Sequence, residues 1–479
     1  MRPGAARPVH FSLKGSRMRV APVIKLFAIA LIAGSTALSA APLYEPRVAR
    51  IARAELKRLG VPSASVAIVL DDQIAYAQAF GKARLSPERA ATSTDRYQIG
   101  SISKQFLAAS TLMLQEEGKL SVDDKVGKYL PGLDSASNVT LRQLLSHTAG
   151  IRDFWPQDYV FTRMRSPVSH AEILELWARQ PLDFAPGERW QYSNTGYTVA
   201  GVIFEKVSGE PLFAFLQRRV FGPLRMSSVA NADEGATDPS DAMGYTRAAL
   251  GPLRPAPLVG KGWLFAAGEL AMTAEDLARW DLSIIDQSLM KPASYRELER
   301  EVLLENGAGT RYALGVDVRL WSERRVIGHG GETSGFLSYN AIYPDQRAAI
   351  VVLTNSDAAD AASAIGEKLR DLVFESVSPI DTERRLEARR IFDGLRQGKL
   401  DRTLLSDNAN EYFTPETVQD ITRSIAPLGP VKSFELMRTG TRGGMDVRIY
   451  EIKLAKRELE LVTRSLPDGK VEQYLIAAK

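Results

Sequence analysis

Three short segments of the chain carry residue types that could perform chemistry, and the first is Ser101-Ile102-Ser103-Lys104. Serine and lysine three positions apart share one face of a helix, so the amine can reach the hydroxyl. A serine hydroxyl is a poor nucleophile until a base takes its proton. Lysine could be that base if burial or a neighbouring cation lowered its pKa from about 10.4. The same spacing also occurs by chance on solvated helix faces, so this segment alone is a weak signal.

The second segment is Tyr192-Ser193-Asn194, followed by an apolar helical stretch from Gly196. A tyrosine hydroxyl can relay a proton if it is held beside a cation. The Asn194 amide could orient the lysine or a substrate carbonyl. The alternative interpretation is a loop tyrosine packed on the core, with Asn194 as the N-cap of the helix.

The third segment is His329-Gly330-Gly331-Glu332. Two glycines in a strand allow a ligand backbone to approach closely. The N–H group of Glu332 could then pair with that of Ser101 to stabilise an oxyanion.

Metal and cofactor chemistry finds little support in the sequence. His147 and Asp153 could suggest a metal pair, but a His147 side chain hydrogen-bonded under the following loop is the favoured interpretation. The sequence lacks a G-x-S-x-G elbow, an H-E-x-x-H motif, a Walker loop and a dinucleotide fingerprint. We therefore predict neither a metal nor an organic cofactor.

Hydrophobic periodicity predicts the elements that must position these segments. Two strands, 65–70 and 73–80, are joined by a polar turn, and a helix covers 101–117 with Gly118 at its end. Mainly helical sequence follows, with helices predicted over 141–146, 171–179, 196–207 and 274–285. Strands return at 312–318, 325–328, 337–343 and 348–353, before a helix over 358–374.

Strands at both ends with helices between them predict an α/β fold. An antiparallel sheet built from both ends of residues 41–378 would be flanked by helices and would face a large helical subdomain across a cleft. Beyond Ser376–Asp381 the pattern changes to a basic helix, 383–400, and alternating apolar runs. Residues 382–479 are therefore predicted to form a separate small α+β domain.

Residues 1–40 resemble a secretory leader, with Met18 a possible true start. Arg19 and Lys25 precede a short apolar run, 26–33, and small residues follow up to Ala41, which is typical of a signal peptide and its cleavage zone. The expected location is the periplasm or the exterior, and the alternative is an uncleaved anchor. No other stretch is long and apolar enough to predict a membrane span.

Composition limits the class of protein. The 479 residues are 45% hydrophobic and 25% charged, which excludes a disordered chain, and the absence of cysteine excludes thiolate metal sites and a cysteine nucleophile. Six lysines and arginines of residues 1–40 account for the net charge of +4, which becomes −2 without them. No nucleic-acid partner is implied, and the sequence does not indicate an oligomeric state.

The three segments, in this order, resemble the serine β-lactamase and DD-peptidase superfamily, specifically its class C β-lactamase-like branch. The resemblance spans roughly residues 45–375. It rests on SISK at 101–104, YSN at 192–194 and HGG at 329–331, with LRQLLSHTAGI at 141–151 and GHGGETSGF at 328–336.

The resemblance implies a role for each residue. Ser101 would be the acylated nucleophile, and Lys104 and Tyr192 would transfer protons. Asn194, His329, Gly331 and Glu332 would bind or orient the substrate, with the Ser101 and Glu332 N–H groups as the oxyanion hole. His329 departs from the lysine of the family's K-T-G triad, and Gly330 removes the threonine hydroxyl. A neutral histidine grips a carboxylate less well, so strong β-lactamase activity is not expected.

The expected function is that of an exported serine hydrolase. Its substrate would be a small-acyl ester, or a peptide or D-amino-acid amide. The alternatives are a DD-carboxypeptidase or weak β-lactamase, and a non-catalytic cell-wall-binding sensor on the same fold. For residues 382–479 the sequence leaves a lid, a substrate-restricting wall or an interaction module open.

Overall fold

The structure is a computed structural model that describes residues 41–157, 159–234, 238, 241–377 and 379–479. The predicted leader, residues 1–40, lies outside these described residues. No helix within them combines the length and apolarity that a bilayer crossing requires.

A seven-stranded antiparallel sheet, here called the main sheet, is built from both ends of the region 41–377. Its N-terminal strand lies beside its last strand, with Val66 opposite Val352, so the predicted fold class is confirmed. From edge to edge the strands are Glu88–Ala90, Gln73–Leu85, Ser63–Leu70, Ala348–Thr354, Phe336–Tyr343, Arg324–Thr333 and Asp317–Trp321.

Helices cover both faces of the main sheet, which explains its unbroken apolar strands. Every residue of strand Ser63–Leu70 is buried. Val66 packs with helices Ala41–Leu59 and Ala361–Val377 on one face, whereas Val69 enters the larger cluster on the other face. A strand covered on both sides reads as a continuous apolar run, not an alternating one.

The second face of the main sheet carries the helical subdomain. Helix Ala274–Asp286 lies against strand Ser63–Leu70, and helix Ser103–Glu116 is buried along most of its length. The other α-helices of this region are Val126–Tyr129, Leu141–Leu145, His170–Ile173, Asn194–Ser208, Leu212–Leu216 and Pro292–Glu299. A three-stranded sheet (Tyr97–Gln98, Leu270–Met272 and Ala230–Asn231) and a short hairpin (Tyr245–Thr246 and Arg254–Pro255) complete it.

A small α+β domain follows. Its helix Pro379–Arg396 begins earlier and ends earlier than the predicted helix 383–400. Helices Asp407–Tyr412 and Pro415–Ile425 pack with it against an antiparallel sheet. The strands of that sheet, in order, are Val431–Arg442, Met445–Leu454, Glu458–Ser465 and Val471–Ala478.

Two local predictions next to the site need correction at their first residues: the helix over 101–117 is confirmed except for its first turn, and the strand over 312–318 begins later. The helix predicted from Ser101 begins with a separate 3₁₀ turn, Gly100–Ile102, and becomes α-helical only at Ser103. The strand predicted over Tyr312–Val318 begins at Asp317, because the chain turns at Gly315 with φ +74°. A Cβ on Gly315 would lie 2.8 Å from the carbonyl oxygen of Lys104, so only glycine fits this crossing.

Candidate active site

The 3₁₀ turn Gly100–Ile102, here called the nucleophile turn, holds Ser101 against the edge of strand Arg324–Thr333. Gly100 has φ +52°, and a Cβ there would lie 2.7 Å from the backbone nitrogen of Glu332. A Cβ on Gly331 would lie 1.9 Å from the carbonyl oxygen of Ile99. The glycines thus let the turn and the strand touch along their backbones. The close approach predicted for a ligand at the glycine pair is made at Gly331 by the chain itself.

Lys104 is fully buried beside Ser101. Its Nζ lies 3.0 Å from Ser101 Oγ, 2.9 Å from Asn194 Oδ1 and 2.8 Å from the carbonyl oxygen of Ala267. Burial lowers the pKa of Lys104 to about 7, although the charge of Asp153 opposes the shift.

As an ammonium, Lys104 donates to the oxygens of Ser101, Asn194 and Ala267. When the amine is neutral, it has two N–H groups, which can keep the contacts with Asn194 and Ala267, and one lone pair. In that form the lone pair can accept the hydroxyl proton of Ser101. The geometry therefore places a base within reach of the serine proton.

Tyr192 approaches Ser101 from the other side, with its hydroxyl donating to Ser101 Oγ at 2.6 Å. Burial raises the pKa of the Tyr192 phenol well above its ordinary value, against the hydrogen bond to Ser101. The phenol is therefore protonated at neutral pH, which makes Tyr192 a proton donor and not a standing phenolate base. Tyr192 and Lys104 together form a directed chain of hydrogen bonds through the serine.

Asn194 holds the lysine, but it is not the helix cap. Its Oδ1 accepts from Lys104, and its Nδ2 donates to Asp153 Oδ2 at 3.3 Å. The cap is Ser193, whose Oγ accepts the N–H of Gly196 at 3.1 Å. Asp153, which the sequence offered only as half of a metal pair, is thus a second support of the lysine. Burial raises the pKa of Asp153, while backbone N–H donors such as that of Asn194 oppose the shift.

His147 lies beneath Tyr192 and is buried there. Its Nδ1 accepts the backbone N–H of Ser193 at 3.1 Å, which agrees with the expected hydrogen bond under the loop. Its ring centroid lies 4.1 Å from that of Tyr192 and 4.9 Å from that of Tyr312. Burial keeps the pKa of His147 well below its ordinary value, so the ring is neutral. Within the described residues, no group of three or more His, Asp and Glu side chains is arranged for a metal ion.

We expect His147 to act through Tyr192. The variant His147→Asn keeps an acceptor for the Ser193 N–H but removes the ring that packs on Tyr192. We expect kcat to fall about ten-fold, because a misplaced reacting group costs rate more than binding. The measurement is a double-mutant cycle with Tyr192→Phe. A positioning role predicts that His147→Asn costs little in the Tyr192→Phe background, and independent, additive losses would contradict it.

His329 is buried and hydrogen-bonded to a residue that the sequence did not indicate, Tyr312. The hydroxyl of Tyr312 lies 2.7 Å from His329 Nε2, and His329 Nδ1 contacts the carbonyl oxygen of Gly330. A carbonyl only accepts, so Nδ1 carries the proton and Nε2 accepts from Tyr312. Burial lowers the pKa of His329 to about 4, against the charge of Asp317. The position therefore lacks the permanent cation of a lysine.

These residues open onto a cleft of about 1030 Å³. Its lining includes six of the predicted site residues: Ser101, Tyr192, Asn194, His329, Gly331 and Glu332. Aromatic side chains form much of the wall, and Trp190 and Tyr159 are 41% and 67% exposed there. An open cleft of this size with a serine at its floor can admit an acyl compound.

The fold and the family match together define a class of protein. This chain shares its fold with a penicillin-binding protein homologue and with a D-alanine carboxypeptidase. The chain belongs to the Beta-lactamase family, whose sequence profile matches residues 48–373, more than half of its length.

Individual relatives agree with this membership. Penicillin-binding protein 4* of Bacillus subtilis (strain 168) is 27% identical over 298 residues, which cover 59% of this chain and 66% of that protein. Protein flp of Staphylococcus aureus (strain NCTC 8325 / PS 47) is 26% identical over 316 residues, 63% of this chain and 61% of that protein. The match therefore spans less than two thirds of either relative's own length.

Solved structures share the fold. A D-stereospecific amidohydrolase from Streptomyces sp. is 26% identical with a TM-score of 0.59, over 66% of this chain and 97% of that one. The octameric penicillin-binding protein homologue from Pyrococcus abyssi is 22% identical with a TM-score of 0.61, over 90% of this chain and 99% of that one. The second likeness concerns the fold alone, and it extends beyond the region that the family profile matches.

Proposed function

We propose that this protein cleaves ester or amide bonds through an acyl-enzyme on Ser101. One observation carries the proposal: Ser101 Oγ lies between Lys104 Nζ at 3.0 Å and the Tyr192 hydroxyl at 2.6 Å, and the pKa of that lysine is about 7. A buried neutral amine and a protonated phenol on one serine are the base and the acid that acyl transfer needs.

Acylation would proceed in two steps, the formation and the collapse of a tetrahedral intermediate. Ser101 Oγ attacks the substrate carbonyl carbon while its proton moves to Lys104 Nζ. The carbonyl oxygen becomes an oxyanion, and the N–H groups of Ser101 and Glu332 would stabilise it. When the tetrahedral intermediate collapses, the bond to the leaving group breaks and the leaving atom receives a proton from Tyr192. The phenol is then reprotonated from Lys104.

The ammonium that forms on Lys104 during this cycle has prepared surroundings. Its Nζ lies 4.8 Å from the centroid of the Tyr192 ring and 5.2 Å from that of Tyr197. Aromatic faces stabilise a desolvated cation, and the charge of Asp153 favours the protonated form. Deacylation repeats the steps with water as the attacking group. Water gives a proton to the Tyr192–Lys104 pair as its oxygen bonds to the acyl carbon, the bond between that carbon and Ser101 Oγ then breaks, and Oγ takes the proton back as the acid leaves.

The substrate class follows from the His329 end of the cleft. A lysine there would bind a carboxylate, but His329 is neutral and Gly330 offers no hydroxyl. This supports a small-acyl ester, or a peptide or D-amino-acid amide, over a carboxylate-bearing β-lactam. The likeness to a D-stereospecific amidohydrolase supports the same choice. The alternatives are a DD-carboxypeptidase, a weak β-lactamase and a non-catalytic sensor, and the following experiment separates the last two from the proposal.

The test is covalent labelling of the purified protein with a fluorophosphonate, followed by intact-mass and peptide mapping. In parallel, p-nitrophenyl acetate and butyrate, a D-amino-acid p-nitroanilide and nitrocefin are assayed for turnover. We expect one adduct, on Ser101, and turnover of an ester or the anilide. Fast nitrocefin turnover alone would favour a β-lactamase. An unlabelled protein without turnover would favour the non-catalytic sensor.

We expect Tyr192→Phe to lower kcat by about 10²–10⁴-fold with little change in KM, since general acid–base steps contribute that much. The phenyl ring can keep the packing on His147, so the loss isolates the hydroxyl. Steady-state kinetics on the best substrate measure it, with Tyr159→Phe as the matched control because Tyr159 is an exposed tyrosine of the same cleft. A rise in KM alone would make Tyr192 a substrate contact instead.

Export and domain organisation belong to the same proposal. The basic and apolar pattern of residues 18–41 supports a periplasmic or extracellular location. We also propose a boundary between a hydrolase domain, 41–378, and a small domain, 382–479. Its support is a separate hydrophobic cluster whose buried members run from Ala388 to Tyr474.

A further inference from the structure

The wall of the active-site cleft carries an excess of negative charge. Among the described lining residues, Arg152 is the cation, and its guanidinium donates to Asp183 Oδ1 at 3.1 Å. The acidic lining residues are Asp153, Asp183, Asp317, Glu332, Asp357 and Asp360. A cleft of one sign repels ligands of the same sign. An anionic substrate is therefore disfavoured at this site.

Asp317 is an acidic lining residue that lies next to the strand of His329. It is the first residue of the edge strand Asp317–Trp321 and pairs in register with Gly328, the neighbour of His329. Its side chain is 33% exposed and lines the cleft. Its charge acts on both His329 and Tyr192. This part of the cleft thus carries a carboxylate beside a neutral His329, whereas a K-T-G lysine at position 329 would contribute a cation.

The ion pair that Asp317 makes does not remove it from the cleft. Arg319 NH2 lies 3.0 Å from Asp317 Oδ2, on the same strand two residues further along. Arg319 is 63% exposed and is not part of the cleft lining. Solvent-exposed pairs of this kind are weak and are screened by salt, so a desolvated substrate cation can compete for the carboxylate.

The position of Asp317 relates it to the leaving group of the substrate and not to the acyl group. In the proposed mechanism Tyr192 gives its proton to the leaving group, so the leaving group departs on the Tyr192 side of Ser101. The ring of that tyrosine lies beside His329, with centroids 6.2 Å apart, and Asp317 pairs with Gly328, the residue before His329. We propose that Asp317 is a specificity-determining residue that selects substrates whose leaving group carries a positive charge. The inference rests on the proposed function and adds the charge of the preferred substrate to it.

The experiment compares three butyryl thioesters that share one acyl group and so pass through one acyl-enzyme. Their leaving thiols are cationic (butyrylthiocholine), neutral (the dimethylbutyl isostere of that ester) and anionic (S-butyryl mercaptopropionate). Thiol release is followed with a chromogenic disulfide, and kcat/KM is measured for each. We expect kcat/KM to be highest for the cationic thioester, lower for the neutral one and lowest for the anionic one. The difference should shrink as ionic strength rises.

Variants assign the preference to Asp317. In Asp317→Asn the ratio of kcat/KM between the cationic and anionic thioesters should fall about ten-fold, the effect of losing one charge-assisted contact. Asp317→Glu should restore most of the ratio, which separates charge from folding. Arg319→Gln is the matched control: it removes the partner of Asp317, and the cationic preference should persist or increase.

The outcomes are distinct. If the wild-type protein turns over none of the three thioesters and forms no fluorophosphonate adduct on Ser101, the proposed function fails and the inference fails with it. If the adduct forms but no thioester is turned over, only the inference is overturned. If it turns over all three equally, or if Asp317→Asn keeps the wild-type ratio, only the inference is overturned. A preference for the anionic thioester that disappears in Arg319→Gln would also overturn it, by making Arg319 a carboxylate-binding residue.

Discussion

Ser101→Ala is expected to reduce kcat/KM by about 10⁶-fold. The catalytic residues act as a unit, and without the Ser101 hydroxyl no acyl-enzyme can form. Substrate binding should persist, since the rest of the cleft wall is untouched. The measurement is turnover of the best ester or amide substrate, with labelling by fluorophosphonate as a second readout. Both should disappear together.

The matched control for this variant is Ser334→Ala. Ser334 also lines the cleft, but its hydroxyl donates to the carbonyl oxygen of Pro257 at 2.6 Å. We therefore expect Ser334→Ala to keep both turnover and the adduct. A Ser101→Ala protein that retains full turnover would show that another group is the nucleophile. Loss of turnover with an unchanged adduct would place the reactive serine elsewhere.

The partner of Ser101 that lies close to it in the sequence could be predicted from local spacing. The partners that belong to distant loops could not be predicted in that way. Lys104 follows Ser101 by three residues, so local geometry alone brings the amine near the hydroxyl. Tyr192 and Asn194 were candidates because of their side-chain chemistry, but only the resemblance to a family joined them to Ser101. Tyr312 lies in irregular chain where a strand was predicted, five residues before the strand begins at Asp317.

A backbone partner is a harder case still. The carbonyl oxygen of Ala267 accepts from Lys104 at 2.8 Å, and every residue type carries that oxygen. Ala266, the preceding residue, has φ +60°. Alanine rarely adopts this left-handed conformation, so the sequence does not predict it. The loop geometry that completes the lysine site is therefore set by tertiary packing. The sequence could therefore predict Lys104, the donor of this hydrogen bond, but not the carbonyl oxygen that accepts from it.

The fold was predictable for a related reason. The strands at both ends of residues 41–377 are long apolar runs, and such runs need cover on both faces. The helices Asp407–Tyr412 and Pro415–Ile425 were missed, although Ser406 and Thr414 cap them. Asp407–Tyr412 is too short for apolar periodicity to be recognised. Pro415–Ile425 does carry Val418, Ile421 and Ile425 at helical spacing, so this helix was predictable and the prediction missed it.

Lys104→Met is expected to lower kcat/KM by about 10⁴-fold, because a serine without its base behaves nearly as an absent nucleophile. Lys104→Arg should fall as far, since arginine keeps the positive charge but cannot accept a proton at neutral pH. The pair of variants separates a base from a cation. Lys128→Met is the control, because that lysine is exposed and pairs with Asp124 away from the cleft.

The pH dependence gives Lys104 a second, independent signature. Its pKa is about 7 in the folded protein and about 10.5 in an unfolded one. Activity that needs the neutral amine should therefore rise with pH through about 7. Between pH 7 and 10 the unfolded chain holds a proton that the folded chain does not, so Lys104 makes the free energy of unfolding increase with pH.

Urea unfolding at several pH values tests this linkage. Compared with the wild-type protein, Lys104→Met should lack the increase in stability between pH 7 and 10, and it should be relatively more stable near pH 7. The reason is that methionine carries no charge whose burial must be compensated. A flat wild-type activity profile through pH 7, or an identical pH dependence of unfolding in Lys104→Met, would contradict a neutral Lys104. The lysine would then be a fixed cation, and the proton of Ser101 would have to leave by another group.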